Sequence, residues 1–73
     1  MILKEILLDV SELEAPHPLF KGIAAMKDLE EDEILIFIHR MFPCKLQEQI
    51  DILGLHSEII KNEENYFEMK IYR

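Results

Sequence analysis

The sequence predicts a small α/β (α+β) domain: a two-layer sandwich in which a four-stranded mixed sheet carries two helices on one face. Three observations predict it. Apolar runs typical of strands alternate with two segments of helical periodicity, and a polar turn separates the last two strand-like runs. The 73 residues suffice for one core. We therefore expect residues 1–73 to form a single domain with the order strand, helix, strand, helix, strand, strand.

The first strand and the first helix are separated by a short corner. Residues Ile2 to Val10 carry Leu and Ile on both alternating faces, which is typical of a strand inside a sheet. Pro18 suits the first position of a helix, because its missing N–H would be unpaired there. Apolar residues at helical spacing then extend to Leu29, which predicts a helix over Pro18 to Leu29.

The second strand is predicted to be central. The acidic run Glu30 to Glu33 indicates a solvated loop, and Ile34 to Ile38 is β-branched at every second position, as in a strand buried on both sides. A right-handed crossover through the first helix makes the first two strands parallel. Pro43 then opens a second helix, and Gly54 follows it where a left-handed stop is needed.

The chain ends in a hairpin. Leu55 to Lys61 is expected to form the third strand, and Asn62 to Asn65 the turn. The last strand places Tyr66 and Tyr72 on the face opposite its apolar side chains. The predicted core comprises Leu19, Ile23, Met26, Leu46, Ile50, Leu53, Phe67, Met69 and Ile71.

Composition excludes several classes of function. The formal charge of −7 without a Lys/Arg cluster argues against nucleic-acid binding and against adsorption to anionic membranes. No apolar run approaches the ~20 residues needed to span a bilayer. The start of the chain lacks the features of a secretion signal, and the single cysteine fits a reducing cytoplasm. A cationic or hydrophobic protein partner remains possible.

The corner resembles a known family. Leu8-Asp9, then Leu13, then Pro16-His17-Pro18-Leu19 is similar to the opening signature of the TusA/SirA family of small sulfur-carrier proteins. The resemblance covers nearly the whole chain and implies a two-layer α/β sandwich. It also implies a sulfur-carrying cysteine at position 15, but Ala15 stands there and cannot hold a persulfide. The family's Arg-Gly in the preceding turn is replaced by Ser11-Glu12.

The chain is more similar to an uncharacterised branch of this superfamily that is often associated with hemerythrin-like domains. Its members carry a His-Asp-Pro-x-Pro-Leu segment after the second strand. His39 and Pro43 match that segment, whereas Arg40, Met41 and Cys44 depart from it. The branch implies no activity.

Four residues are candidates for a ligand site. Ligands of open sheets with parallel strands bind beyond the carboxyl ends of those strands. The two loops at these ends carry His17, His39, Arg40 and Cys44, and two helix N-termini that favour an anion point at the same crevice.

Each candidate also has an ordinary structural interpretation. In that interpretation, His17 would cap the first helix, His39 would form a hydrogen bond with a loop carbonyl, and Arg40 would pair with a carboxylate. Cys44 is either a small hydrophobe packed against the core or a reactive thiol in the first turn of a helix, replacing the family's lost cysteine.

Two further expectations concern metals and partners. His17, His39, Met41 and Cys44 have donor atoms suited to a metal or haem, but no spacing matches a ligand motif, so we expect no cofactor. The face of the sheet away from the helices carries Tyr66 and Tyr72, which predicts a homodimer or a protein partner there.

The sequence thus favours a small non-enzymatic binding or interaction module of the TusA-like superfamily. The alternatives are a sulfur or redox relay through Cys44 and a metal- or haem-binding accessory protein.

Overall fold

A computed structural model describes residues 3–73 as two helices packed on one face of a four-stranded sheet. The element order is the one that the periodicity predicts. The elements are β1 (Lys4–Asp9), α1 (His17–Lys27), β2 (Glu33–His39), α2 (Cys44–Ile52), β3 (His56–Glu63) and β4 (Tyr66–Tyr72).

The sheet has the order β1-β2-β4-β3 and mixed pairing. β1 runs parallel to β2, whereas β2 and β3 both pair antiparallel with β4. The mixed two-layer fold, the parallel first pair and the central position of β2 are therefore confirmed.

The prediction of β1 as an interior strand is wrong. β1 is an edge strand, and all its residues but the half-buried Leu8 are exposed. Apolar residues on both faces indicate burial only where layers cover both faces, and two helices are too few to cover β1. Of the predicted span from Ile2 to Val10, Ile2 lies outside the described residues.

The core lies between the helices and the inner face of β2 and β4. Leu35 and Phe37 of β2, which the predicted core omitted, are fully buried there. Leu19, Ile23 and Leu53 are only partly buried against the core. The other fully or nearly fully buried apolar residues are Val10, Met26, Leu29, Leu46, Ile50, Leu55, Phe67, Met69 and Ile71.

The opposite side of the sheet, which we call the open face, is not covered by any described element. It carries Leu7, Ile34, Ile36, Ile38, Tyr66 and Tyr72. The three isoleucines are half-buried, so the expectation that β2 is buried on both sides holds only for its inner face.

Two glycines have defined backbone roles. The buried Gly22 of α1 permits close packing on α2, since a Cβ there would lie 2.8 Å from Cδ1 of Leu46. Gly54 has φ +71° and closes α2, as predicted: its N–H donates to Asp51 O (3.2 Å) and that of Leu55 donates to Ile50 O (3.0 Å). This pair of bonds is a Schellman motif.

Several element boundaries differ from the predictions by one or two residues. α1 begins at His17, so Pro18 is its second residue, and it ends at Lys27 rather than Leu29. β3 continues to Glu63, and the hairpin turn contracts to Glu64-Asn65, where Asn65 has φ +60°. Neither helix in residues 3–73 is long and apolar enough to cross a membrane.

Phe67→Ala tests the core. The ring is fully buried, so we expect a loss of about 3–5 kcal/mol in the free energy of unfolding, measured by urea denaturation. Phe20→Ala is the matched control: this ring is 59% exposed, and its loss should cost less than about 1 kcal/mol. Equal losses in the two variants would contradict the assigned core.

Candidate functional site

Two strand-to-helix loops meet at the carboxyl ends of β1 and β2. We call them the first corner (residues 10–16, between β1 and α1) and the second corner (residues 40–43, between β2 and α2). Because these strands are parallel neighbours, Asp9 and His39 end them at the same edge of the sheet. The fully buried Val10 continues the pairing, since its N–H donates to Ile38 O at 2.9 Å. The first corner then turns through a bond from the N–H of Leu13 to Val10 O at 3.1 Å.

A cavity of about 530 Å³ lies between the two corners. Its walls come from the first corner, the start of α1, the end of β2 and the start of α2. The lining residues are Leu13, Glu14, Ala15, Pro16, Pro18, Leu19, Phe37, His39, Arg40, Met41, Phe42, Pro43, Cys44, Lys45 and Leu46. Ten of these fifteen are apolar, so the cavity is suited to a ligand with an apolar body.

Arg40 connects the two corners. Its Nη2 donates to the backbone carbonyl of Leu13 at 3.2 Å, across 27 positions of sequence. The prediction that Arg40 pairs with a carboxylate is wrong, because the only ion pair within residues 3–73 joins Lys70 to Glu58. Arg40 thus places its positive charge at the cavity, where Lys45 adds a second and Glu14 an opposing negative charge.

His39 lies in the cavity wall with an unsatisfied nitrogen. In residues 3–73, its Nδ1 is the one buried side-chain nitrogen or oxygen without a hydrogen-bond partner, so the expected bond to a loop carbonyl is absent. The ring meets Phe37 edge-on, with centroids 6.0 Å apart. Burial, and secondly the charge of Arg40, lower the pKa of His39 below its ordinary 6.5 and so favour the neutral ring.

Cys44 is the first residue of α2, and it is exposed. Burial against the core was one interpretation of this residue, and the structure contradicts it. The residue lines the same cavity as Ala15, where the resemblance implies a cysteine. The structure therefore places the chain's one cysteine and Ala15 in the wall of one cavity.

His17 does not join the other three candidates. It is exposed at the first position of α1 and is not among the cavity-lining residues, although Pro16 and Pro18 on either side of it are. It does not cap the helix either, because neither α1 nor α2 has a side-chain cap. Of the four predicted ligand residues, the cavity brings together His39, Arg40 and Cys44.

Sequence reasoning missed the apolar wall formed by Met41 and Phe42. They are 61% and 41% exposed, and the Phe42 ring packs edge-on against Phe67 with centroids 5.4 Å apart. A signal was present: loops are usually polar, and two large apolar residues directly before Pro43 break that rule.

Tyr66 and Tyr72 lie on the open face, as predicted, and both are half-buried. The hydroxyl of Tyr66 donates to Glu68, and this bond raises the pKa of Tyr66. Tyr72 donates to Glu58 at 3.4 Å and stacks on His56. Their role in an interface stays a prediction.

Residues 30–32, in the acidic run, border a second, open depression at the opposite end of β2. Within residues 3–73, no three His, Cys, Asp or Glu side chains are grouped so that they could hold a metal ion.

Comparison of the chain with protein-family models, curated proteins and solved structures finds no match. The site's own chemistry therefore carries the argument about function.

His39→Leu should raise the free energy of unfolding at pH 7 by about 1 kcal/mol, because it removes a buried nitrogen without a partner. A folded-state pKa below 6.5 means that the unfolded chain binds the proton more tightly. Stability of the wild-type protein should thus decrease as the pH falls below 6.5, and His39→Leu should weaken that decrease.

Urea denaturation at several pH values measures both effects. His17→Leu, at an exposed histidine outside the cavity, is the control and should leave the wild-type pH dependence in place. A loss of stability in His39→Leu at pH 7 would show that Nδ1 has a native partner.

Proposed function

We propose that this protein is a small, non-enzymatic binding module of the TusA-like superfamily, and that its ligand site is the cavity between the two corners. The observation that best supports this proposal is a mostly apolar cavity of about 530 Å³, with His39, whose Nδ1 has no hydrogen-bond partner, in its wall. Ligand pockets commonly have roughly 300–1,000 Å³ and a few placed polar groups.

The unpartnered nitrogen supports binding over a merely structural role for the cavity. Leaving a buried polar atom unpaired costs about 1–3 kcal/mol, and native proteins do so rarely. A neutral imidazole has one N–H and one lone pair. Since His39 lines the cavity, its ring can supply one of the few polar contacts to a ligand there.

The charges at the cavity favour an anionic group on that ligand. Arg40 and Lys45 outweigh Glu14 there, although the whole chain carries −7. Both helices begin at the cavity without an acidic residue in the first turn. Their N-terminal N–H groups add positive partial charge. The ligand class is therefore a small molecule with an apolar body and an anionic group.

The superfamily assignment and the location are parts of the same proposal. The order βαβαββ and the two adjacent corners agree with what the TusA/SirA resemblance implies. A lone exposed cysteine supports a reducing, cytoplasmic location, because an oxidising compartment favours paired cysteines.

Binding of 1-anilinonaphthalene-8-sulfonate, an apolar ring system with a sulfonate, tests the proposal. We expect a saturable fluorescence increase with one site per chain. Met41→Ser should weaken binding about threefold to tenfold, because it removes part of the apolar wall. Ile52→Ser is the matched control: Ile52 is 72% exposed and outside the cavity, so the affinity should not change.

Non-saturable fluorescence, or equal weakening by both serine variants, would contradict a site in the cavity. Circular dichroism of each variant establishes that the fold is retained, since this dye also binds partly folded chains.

The second candidate function is a sulfur relay through Cys44. The specific observation in its favour is that the thiol is exposed at the first position of α2 and lines the same cavity as Ala15. In such a relay, the Cys44 thiolate attacks the terminal sulfur of a donor persulfide; the new S–S bond forms while the donor departs as a thiolate.

Alkylation by iodoacetamide over a range of pH tests the relay. The relay requires a nucleophilic thiol, so Cys44 should react at neutral pH faster than free cysteine. A rate no higher than that of free cysteine would exclude it. Cys44→Ser is the blank for this reaction, because it removes the one cysteine of the chain; dye binding does not enter the measurement, so this test is independent of the first.

A metal- or haem-binding role is not proposed: of its candidate donors, His39, Met41 and Cys44 line the cavity and His17 does not.

A further inference from the structure

The outer edge of β1 has unpaired backbone groups. The N–H of Lys4 donates to Asp32 O at 2.8 Å and that of Val10 donates to Ile38 O at 2.9 Å, so even-numbered residues of β1 face β2. Backbone groups alternate along a strand. The N–H and C=O groups of Glu5 and Leu7 therefore point away from the sheet, and no described strand pairs with them.

The other edge of the sheet is protected against pairing. β3 has an irregularity between Ile59 and Lys61, where one extra residue opposes β4. Such bulges twist an edge strand away from incoming chains. β1 has a regular register over its whole length and contains no proline. Of the two edges, β1 is the one that is open to a new strand.

Apolar side chains line the same edge. Leu7 is 68% exposed on the open face and pairs with Ile36, and Leu3 is 49% exposed. An exposed apolar edge strand is a template for a further strand. Leu7 is thus the centre of the surface that such a strand would cover.

Acidic residues flank Leu7 on the same face. Glu5 and Asp9 stand two positions before and after it and share its side of the sheet. The N–H of Ser11 donates to Oδ1 of Asp9 at 2.9 Å, and bonds from Ser11 lower the pKa of this carboxyl group. The edge therefore presents an aliphatic side chain between two carboxylates.

Charge makes a second copy of this chain a poor partner for the outer edge of β1. If two copies paired antiparallel about Leu7, Glu5 of each would lie opposite Asp9 of the other, and like charges in that position are destabilising. Each copy also carries −7, so approach is opposed at long range. A cationic strand has neither problem.

We propose that the free edge of β1 binds an extended segment of a partner protein, in which an aliphatic residue stands between basic residues two positions to either side. The segment extends the sheet by one strand. Its aliphatic side chain covers Leu7, and its basic side chains face Glu5 and Asp9.

A synthetic peptide tests this inference on the full chain. The probe has seven residues: valine at the centre, lysine two positions to each side and threonine elsewhere, so that it matches the edge in either direction. We expect the hydrogen-exchange rate of the Leu7 and Glu5 amides, measured by NMR, to fall about tenfold or more at saturation. Binding should weaken as salt is raised from about 0.05 to 0.5 M.

Variants distinguish the edges. Leu7→Lys should abolish binding and Glu5→Lys should weaken it about threefold to tenfold, and both positions are exposed. Ile59→Lys, at a residue 53% exposed on the opposite edge, should bind like the wild-type protein. Circular dichroism verifies each fold.

Three results would overturn the inference. One is an unchanged exchange rate at Leu7 in saturating peptide. Another is equal binding of a peptide with glutamates in place of lysines. The third is a dimer in sedimentation with Leu7 already protected in the free protein, which would make a second copy the occupant.

Discussion

The parallel pairing of β1 with β2 is the constraint on which the site depends. Parallel neighbours end at the same edge of a sheet, so the two corners and the N-termini of both helices meet there. Arg40 can therefore reach the carbonyl of Leu13, and the end of β2 places His39 in a wall shared with the first corner. With antiparallel pairing, the corners would lie at opposite ends and no common cavity would form.

The small size of the domain explains what remains uncovered. Two short helices can cover the centre of one sheet face, which is where Leu35, Phe37 and the apolar side of β4 are buried. Nothing in residues 3–73 remains to cover the open face or the outer edge of β1. Leu7 of β1 is exposed for this reason, and the proposed partner strand would supply the missing cover without altering the core.

Local patterns predicted the elements but not the directions of side chains beyond strand ends. Periodicity gave the order, and the need for positive φ predicted Gly54 as the stop of α2. Leu and Ile on both faces of β1 could not distinguish an interior strand from an exposed edge strand. His17 was misplaced because its position in the sequence beyond a strand end does not specify the direction of its side chain: Pro16 and Pro18 line the cavity and the residue between them does not.

The unpartnered nitrogen of His39 is the strongest indication that the cavity has a function. Domains are stable by only about 5–15 kcal/mol, so a loss of about 1–3 kcal/mol at one atom is a large fraction. A leucine would fill this wall without that loss, and the neighbouring residues Met41 and Phe42 show that the corner accepts apolar side chains. An imidazole that is destabilising in the free protein is understandable if its ring contributes to a complex. The apolar wall, the cations and the imidazole then act together on one ligand.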